Sequence, residues 1–171
     1  MKHCHSIWLM PSDPDHAMLS RIVGRLADEF GTQRFSPHLT LVEDMGRPAD
    51  ELAALLDRDF SGRAAFEAPV AAVSGLPLFF RSLFAAFAAE GPLLELKRTA
   101  VTTFGRGDID SFLPHISLAY GVTEEKKPPA IARLNAELAG RTIRFDSIVV
   151  AASGQEIPIE DWAIAARLRL G

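Results

Sequence analysis

One cysteine, Cys4, among 171 residues excludes an internal disulfide and any multi-cysteine metal site. Nor does any unbroken apolar run approach the length of about eighteen residues that a bilayer span needs. The most apolar stretch, Leu76 to Ala89, is interrupted by Arg81. The apolar residues after Ser6 stop at Pro11, too soon for the core of a signal peptide, so the expected location is the cytoplasm, away from membranes. A basic run is also missing. The 18 Lys and Arg are scattered against 22 Asp and Glu, for a net charge of −4, and pair only briefly at Lys97-Arg98 and Lys126-Lys127. Proteins that grip long RNA or DNA carry a basic face to exchange with phosphate counterions. The charge therefore favours a small anionic ligand over a polymer.

What is present is an ordinary globular composition, 48% hydrophobic and 23% charged, with helix and strand signals in alternation and no linker or low-complexity tract. Residues 5 to 10 read as a buried strand. Asp13-Pro14 opens a helix whose apolar positions Met18, Leu19, Ile22, Val23, Leu26 and Phe30 keep a helical period until Gly31. A strand from His38 to Val42 and a helix from Pro48 to Asp57 follow. Strands are expected at Phe66 to Ser74 and Leu78 to Ala88, around a Gly75-Leu76-Pro77 turn. Then come a helix from Pro92 to Phe104, a strand from His115 to Tyr120, a helix from Pro128 to Gly140, and strands at Ile143 to Ala152 and Trp162 to Leu170.

This order conceals a duplication. Phe35-Ser36-Pro37-His38-Leu39-Thr40-Leu41 matches Phe112-Leu113-Pro114-His115-Ile116-Ser117-Leu118 at four of seven positions, with conservative exchanges at two more. Each copy follows a helix ending in Phe-Gly, at Phe30-Gly31 and Phe104-Gly105. Two copies imply two similar lobes about a pseudo-two-fold axis, where a solenoid needs three or more units.

Side chains two apart on a strand share a face, so His38 points with Thr40 and His115 with Ser117. If the lobes face each other, two imidazoles and two hydroxyls meet in one place. Imidazole titrates near neutrality, so one His can serve as base and the other as acid. Hydroxyls can donate to phosphoryl oxygens where charge develops. The competing explanation is a pair of core histidines bonded to backbone in a duplicated structural fold.

With these motifs the chain resembles the two-histidine (2H) phosphoesterase superfamily, and within it the small cyclic phosphodiesterases of plants and yeast. The resemblance spans nearly the whole chain. It rests on Ser6-Ile7-Trp8-Leu9-Met10-Pro11, Phe35-Ser36-Pro37-His38-Leu39-Thr40 and Phe112-Leu113-Pro114-His115-Ile116-Ser117-Leu118-Ala119-Tyr120-Gly121. It implies an α+β, bilobal fold in one domain over residues 1–171, antiparallel sheets lining a central groove, and helices outside. It further implies metal-independent, cofactor-free hydrolysis of nucleoside 2′,3′-cyclic phosphates to 2′-phosphates, and of ADP-ribose 1″,2″-cyclic phosphate to the 1″-phosphate. By the same resemblance His38 and His115 are the acid–base pair, Thr40 and Ser117 the phosphate-binding hydroxyls, and Tyr120, Trp8 and Phe80 the groove wall, although core packing is an equally good reading of those three. Plant relatives carry additional cysteines, and Cys4 is alone here, so disulfide control of the groove is not expected.

Three rival functions stand beside this one. A 2′-5′ RNA ligase or RNA-end-processing phosphodiesterase uses the same four residues, and the acidic balance counts against it. A non-catalytic nucleotide-binding module has no need of two matched pairs. A two-His metal hydrolase lacks a carboxylate or third His at ligand spacing. The expected partner is a small-molecule cyclic phosphate and the expected state a monomer. His3, Cys4 and His5, with the Met1-Lys2-His3 terminus, suggest metal chelation but read as incidental. His16 reads as solvated.

Overall fold

The helical period after Asp13 becomes an 18-residue helix in the computed structural model, which describes residues 3–171. Met1 and Lys2, two of the three residues of the Met1-Lys2-His3 chelating pattern, lie outside the described residues. The first strand, β1, spans His5–Pro11, and the helix, α1, spans Asp13–Phe30. Proline sits in its first turn, where an N–H has no partner to lose. Gly31 closes it in the left-handed conformation (φ 67°) and donates its N–H to the Ala27 carbonyl. Next come β2 (Leu39–Met45), α2 (Ala49–Phe60), β3 (Phe66–Pro69), β4 (Ala72–Ser74) and β5 (Leu83–Ala86). Helix α3 (Gly91–Phe104) closes as α1 does, with Gly105 at φ 65°. Strand β6 (His115–Ala119), helix α4 (Lys127–Leu138) and strands β7 (Thr142–Ala152) and β8 (Ala163–Arg169) complete the chain.

The strands form one antiparallel sheet in the order β3-β7-β1-β2-β6-β5-β4, with β8 paired to β7. Its two halves meet where β2 and β6 run side by side, at the single register pair Leu39 and Ile116. About that junction the order is symmetric: β1 corresponds to β5, β2 to β6, and β7 to β4. Strand β4 lies in the second half although it comes after α2, β7 lies in the first half although it follows α4, and α1 packs on β6 while α3 packs on β2, so the halves are interwoven.

Two sequence expectations change. The run from Phe66 to Ser74 is two strands on opposite sides of the sheet. Val70 donates its N–H to Arg141 and Ala71 donates to Ala86, so the chain changes partners within one residue. The run from Leu78 to Ala88 begins as a 3-10 turn, Phe79–Arg81, before β5. Hydrogen bonds from Gly121 N–H to the Phe79 carbonyl and from Ser117 Oγ to the Phe80 carbonyl hold this segment curled.

Period-two alternation sorts the sheet's faces. Ile7, Leu9, Leu39, Leu41, Ile116 and Leu118 are fully buried and join Leu19, Ile22, Leu96 and Ala100 of α1 and α3 in the main core. Each such Leu or Ile contributes about 1.5–3 kcal/mol by leaving water. The residues between them, Trp8, Thr40, His115 and Ser117, therefore turn to the opposite face. Among the described residues no helix is long and apolar enough to cross a membrane.

Candidate active site

On that opposite face lies a groove of about 750 Å³. All seven residues singled out from the sequence line it: His38, Thr40, His115, Ser117, Tyr120, Trp8 and Phe80. Both histidines are held alike. The Nδ1 of His38 bonds the Ser36 carbonyl at 2.7 Å, and the Nδ1 of His115 bonds the Leu113 carbonyl at 2.7 Å. A carbonyl can only accept, so each Nδ1 carries a proton and each neutral ring keeps its lone pair on Nε2. The proline between carbonyl and histidine favours the extended backbone that makes this reach possible.

The strand register extends the duplication further than the histidine motifs. Trp8 lies opposite Thr40 in β1–β2, and Phe84 lies opposite Ser117 in β5–β6. Each aromatic backs one imidazole: Trp8 stacks on His38 with centroids 3.7 Å apart, and Phe84 meets His115 edge-on at 5.1 Å. Two residues earlier Ser6 accepts the Asp44 N–H, and its counterpart Ser82 accepts the Val122 N–H. Four residues beyond each hydroxyl the backbone turns left-handed, at Asp44 (φ 53°) and Gly121 (φ 65°). At Gly121 the absence of a side chain is also steric, since a Cβ would come within 2.7 Å of the Phe79 ring.

Part of the remaining wall is aromatic. Trp162 meets His38 at 6.2 Å, Trp8 at 6.0 Å and Phe80 at 6.1 Å, with its Nε1–H donated to Ile157. Tyr120 is buried, stacks on Phe35 at 4.0 Å and meets Phe80 edge-on at 5.2 Å. Trp8, Phe80 and Tyr120 thus both pack and face the groove. His16 is half-buried, and its Nε2 bonds Ser36 Oγ at 2.7 Å, on the residue whose carbonyl holds His38. His5 is buried with Nδ1 bonded to the Arg47 carbonyl, and no three His, Cys, Asp or Glu converge as a metal-binding group among the described residues.

No protein-family model matches the chain. It is 26% identical over 170 residues to the cyclic phosphodiesterase of Arabidopsis thaliana, covering 96% of this chain and 94% of that protein. Among solved structures it is similar to Escherichia coli LigT in complex with 3′-AMP, with a TM-score of 0.67 and 16% identity over 99% of each chain. A protein of Thermus thermophilus gives a TM-score of 0.65 and 20% identity over 98% of this chain and 97% of the other. Over nearly its whole length the chain is thus similar to a cyclic phosphodiesterase, and it shares the fold of the LigT structures.

Burial sets the electrostatics of the groove. His38 is pushed down to about 4, chiefly by desolvation, with His115 and His16 adding repulsion against the Ser36 hydrogen bond. His115 is lowered too, by desolvation first; the Leu113 carbonyl and Glu43 oppose it and the Arg81 charge adds to it. Burial pushes the Tyr120 phenol upward, so it remains a hydrogen-bond donor at neutral pH. A histidine that resists protonation in the fold but accepts it when unfolded stabilises the fold above its unfolded pKa. That stability is lost as pH falls through the window from 6.5 to about 4. For His38 the loss between pH 7 and pH 4 is about 3 kcal/mol. Denaturant midpoints measured across this range should fall more steeply for wild type than for His38→Gln; parallel curves would refute the assignment.

Sequence reasoning missed Phe84, Trp162 and Arg81. For Phe84 a signal was present: Ser82-Leu83-Phe84 repeats Ser6-Ile7-Trp8.

Proposed function

We propose that this phosphoesterase hydrolyses small ribose cyclic phosphates, nucleoside 2′,3′-cyclic phosphate to 2′-phosphate and ADP-ribose 1″,2″-cyclic phosphate to 1″-phosphate, in a single domain whose interwoven lobes each supply one motif. The observation that carries this reading is the matched pair of imidazoles, each with Nδ1 committed to a backbone carbonyl and Nε2 left for the groove they share with Thr40 and Ser117. The name of the Arabidopsis relative supports the same chemistry.

His38, which burial holds well below the ordinary histidine range, is neutral and takes a proton from water; His115 is protonated and gives its proton to the departing ribose oxygen. A P–O bond forms to water as the P–O bond to the ribose breaks, in line. The repulsion each imidazolium exerts on the other favours one proton shared by the pair. Thr40 and Ser117 donate to the phosphoryl oxygens as negative charge grows there.

The deciding experiment incubates the protein with 2′,3′-cyclic mononucleotides, ADP-ribose 1″,2″-cyclic phosphate and an RNA ending in a cyclic phosphate, and follows the phosphorus by NMR. Formation of 2′- and 1″-monophosphates is expected. Preference for the RNA by a hundredfold would move the protein to RNA-end processing, and binding without turnover would leave a nucleotide-binding module. Turnover should also survive EDTA, since every role is filled by a side chain. Loss on chelation with rescue by zinc or manganese would overturn the mechanism.

A further inference from the structure

The groove is electrically lopsided. Because β2 and β6 run antiparallel from the Leu39–Ile116 junction, the ends of the two strands lie at opposite ends of the groove. Beyond Thr40 the lining includes Glu43, Asp44 and Asp108. Beyond Ser117 it includes Tyr120, the 3-10 turn Phe79–Arg81 and exposed Leu78, with no carboxylate.

Among the described residues three cations line the groove, and they differ in their commitments. Lys97 is buried, with Nζ donated to the Leu41 carbonyl at 2.6 Å and seated over the Phe112 ring. Arg106 donates Nε to the Glu43 carbonyl and stands among the acidic residues. Arg81 is half-buried, and among the described residues its guanidinium has neither a hydrogen bond nor an ion pair. Its backbone is nevertheless fixed: the Arg81 carbonyl accepts from Leu76 N–H, and the carbonyls of Phe79 and Phe80 accept from Gly121 and Ser117. It lies close enough to His115 for its charge to lower that imidazole's pKa. Leu78 and Phe79 beside it are 55% and 56% exposed.

We infer that Arg81, with the Leu78–Phe79 shelf, forms a specificity subsite for a diphosphate-linked nucleoside attached to the ribose that carries the cyclic phosphate. The guanidinium fork matches phosphate oxygens and is available for them. The acidic end of the groove repels the same group, so a second anion is directed one way. The exposed Phe79 face offers a stacking surface for the base beyond the diphosphate. This inference rests on the cyclic-phosphate reading above and adds which member of that class is preferred.

The test compares Arg81→Gln and Arg81→Lys with wild type on adenosine 2′,3′-cyclic phosphate and ADP-ribose 1″,2″-cyclic phosphate. One charge-assisted contact predicts that Arg81→Gln reduces the ratio of kcat/KM, diphosphate substrate over mononucleotide, by about ten- to a hundredfold, mainly through KM. Arg81→Lys should recover part of it. Equal losses on both substrates would place Arg81 on the reacting phosphoryl group and overturn the subsite, as would no loss on either. If wild type turns over neither substrate, the proposed function fails, and calorimetric binding of unreactive ADP-ribose decides the subsite separately. Tenfold weaker binding by Arg81→Gln would sustain it, and equal binding would sink it.

Discussion

Alanine at His38 or at His115 should each lower kcat on the preferred cyclic phosphate by about 10²–10⁴-fold, the range set by losing one positioned acid or base. The two imidazoles act on the same displacement, one at the entering oxygen and one at the leaving oxygen. The double variant should therefore fall well short of the product of the single losses. Neither ring belongs to the main core between sheet and helices, so the fold should persist, and circular dichroism at pH 7 provides that control. Single variants that retain wild-type turnover while folded would end the two-histidine mechanism. Thr40 and Ser117 give a graded contrast, since each loses one donor while the proton path remains. Their removal should cost less than removal of either imidazole.

How much of this is legible in the sequence differs residue by residue. Phe-x-Pro-His-x-(Thr/Ser)-Leu is readable because each position has a local reason: proline extends the chain, histidine bonds the carbonyl two residues back, and alternation separates hydroxyl from leucine. The helix ends at Gly31 and Gly105 are readable for the same reason, both being left-handed caps. The Ser-Ile-Trp and Ser-Leu-Phe repeat is equally local, yet it becomes meaningful only once the register sets Trp8 against Thr40 and Phe84 against Ser117. The break between β3 and β4 has no local signal. It depends on Arg141 and Ala86, residues distant in sequence, claiming adjacent N–H groups. Trp162 reaches His38 only because β8 returns beside β7 and β7 lies beside β1. In the sequence Arg81 merely interrupts an apolar run, and its availability emerges only when the other groove cations are seen to be engaged.

The pH profile should be displaced toward acid. For kcat/KM the relevant groups are those of the free enzyme, and productive reaction needs one imidazole neutral and the other protonated. Raising pH deprotonates the acid; lowering it protonates the base. Both groups lie below the usual histidine value, His38 at about 4 and His115 lowered chiefly by desolvation. Both limbs of the bell therefore shift in the same direction, with the optimum between them on the acidic side of 6.5. The alkaline limb falls tenfold per pH unit, so kcat/KM at pH 8.5 should be at least about a hundredfold below its maximum. This holds whichever imidazole is the base, because the limbs belong to the coupled pair. The kcat profile should be less displaced, since a bound anionic phosphate favours the imidazolium beside it. Arg81→Gln supplies an independent check. Removing a positive charge that lowers His115 should move the alkaline limb upward, and a limb that stays in place would show that His115 is not the group titrating there.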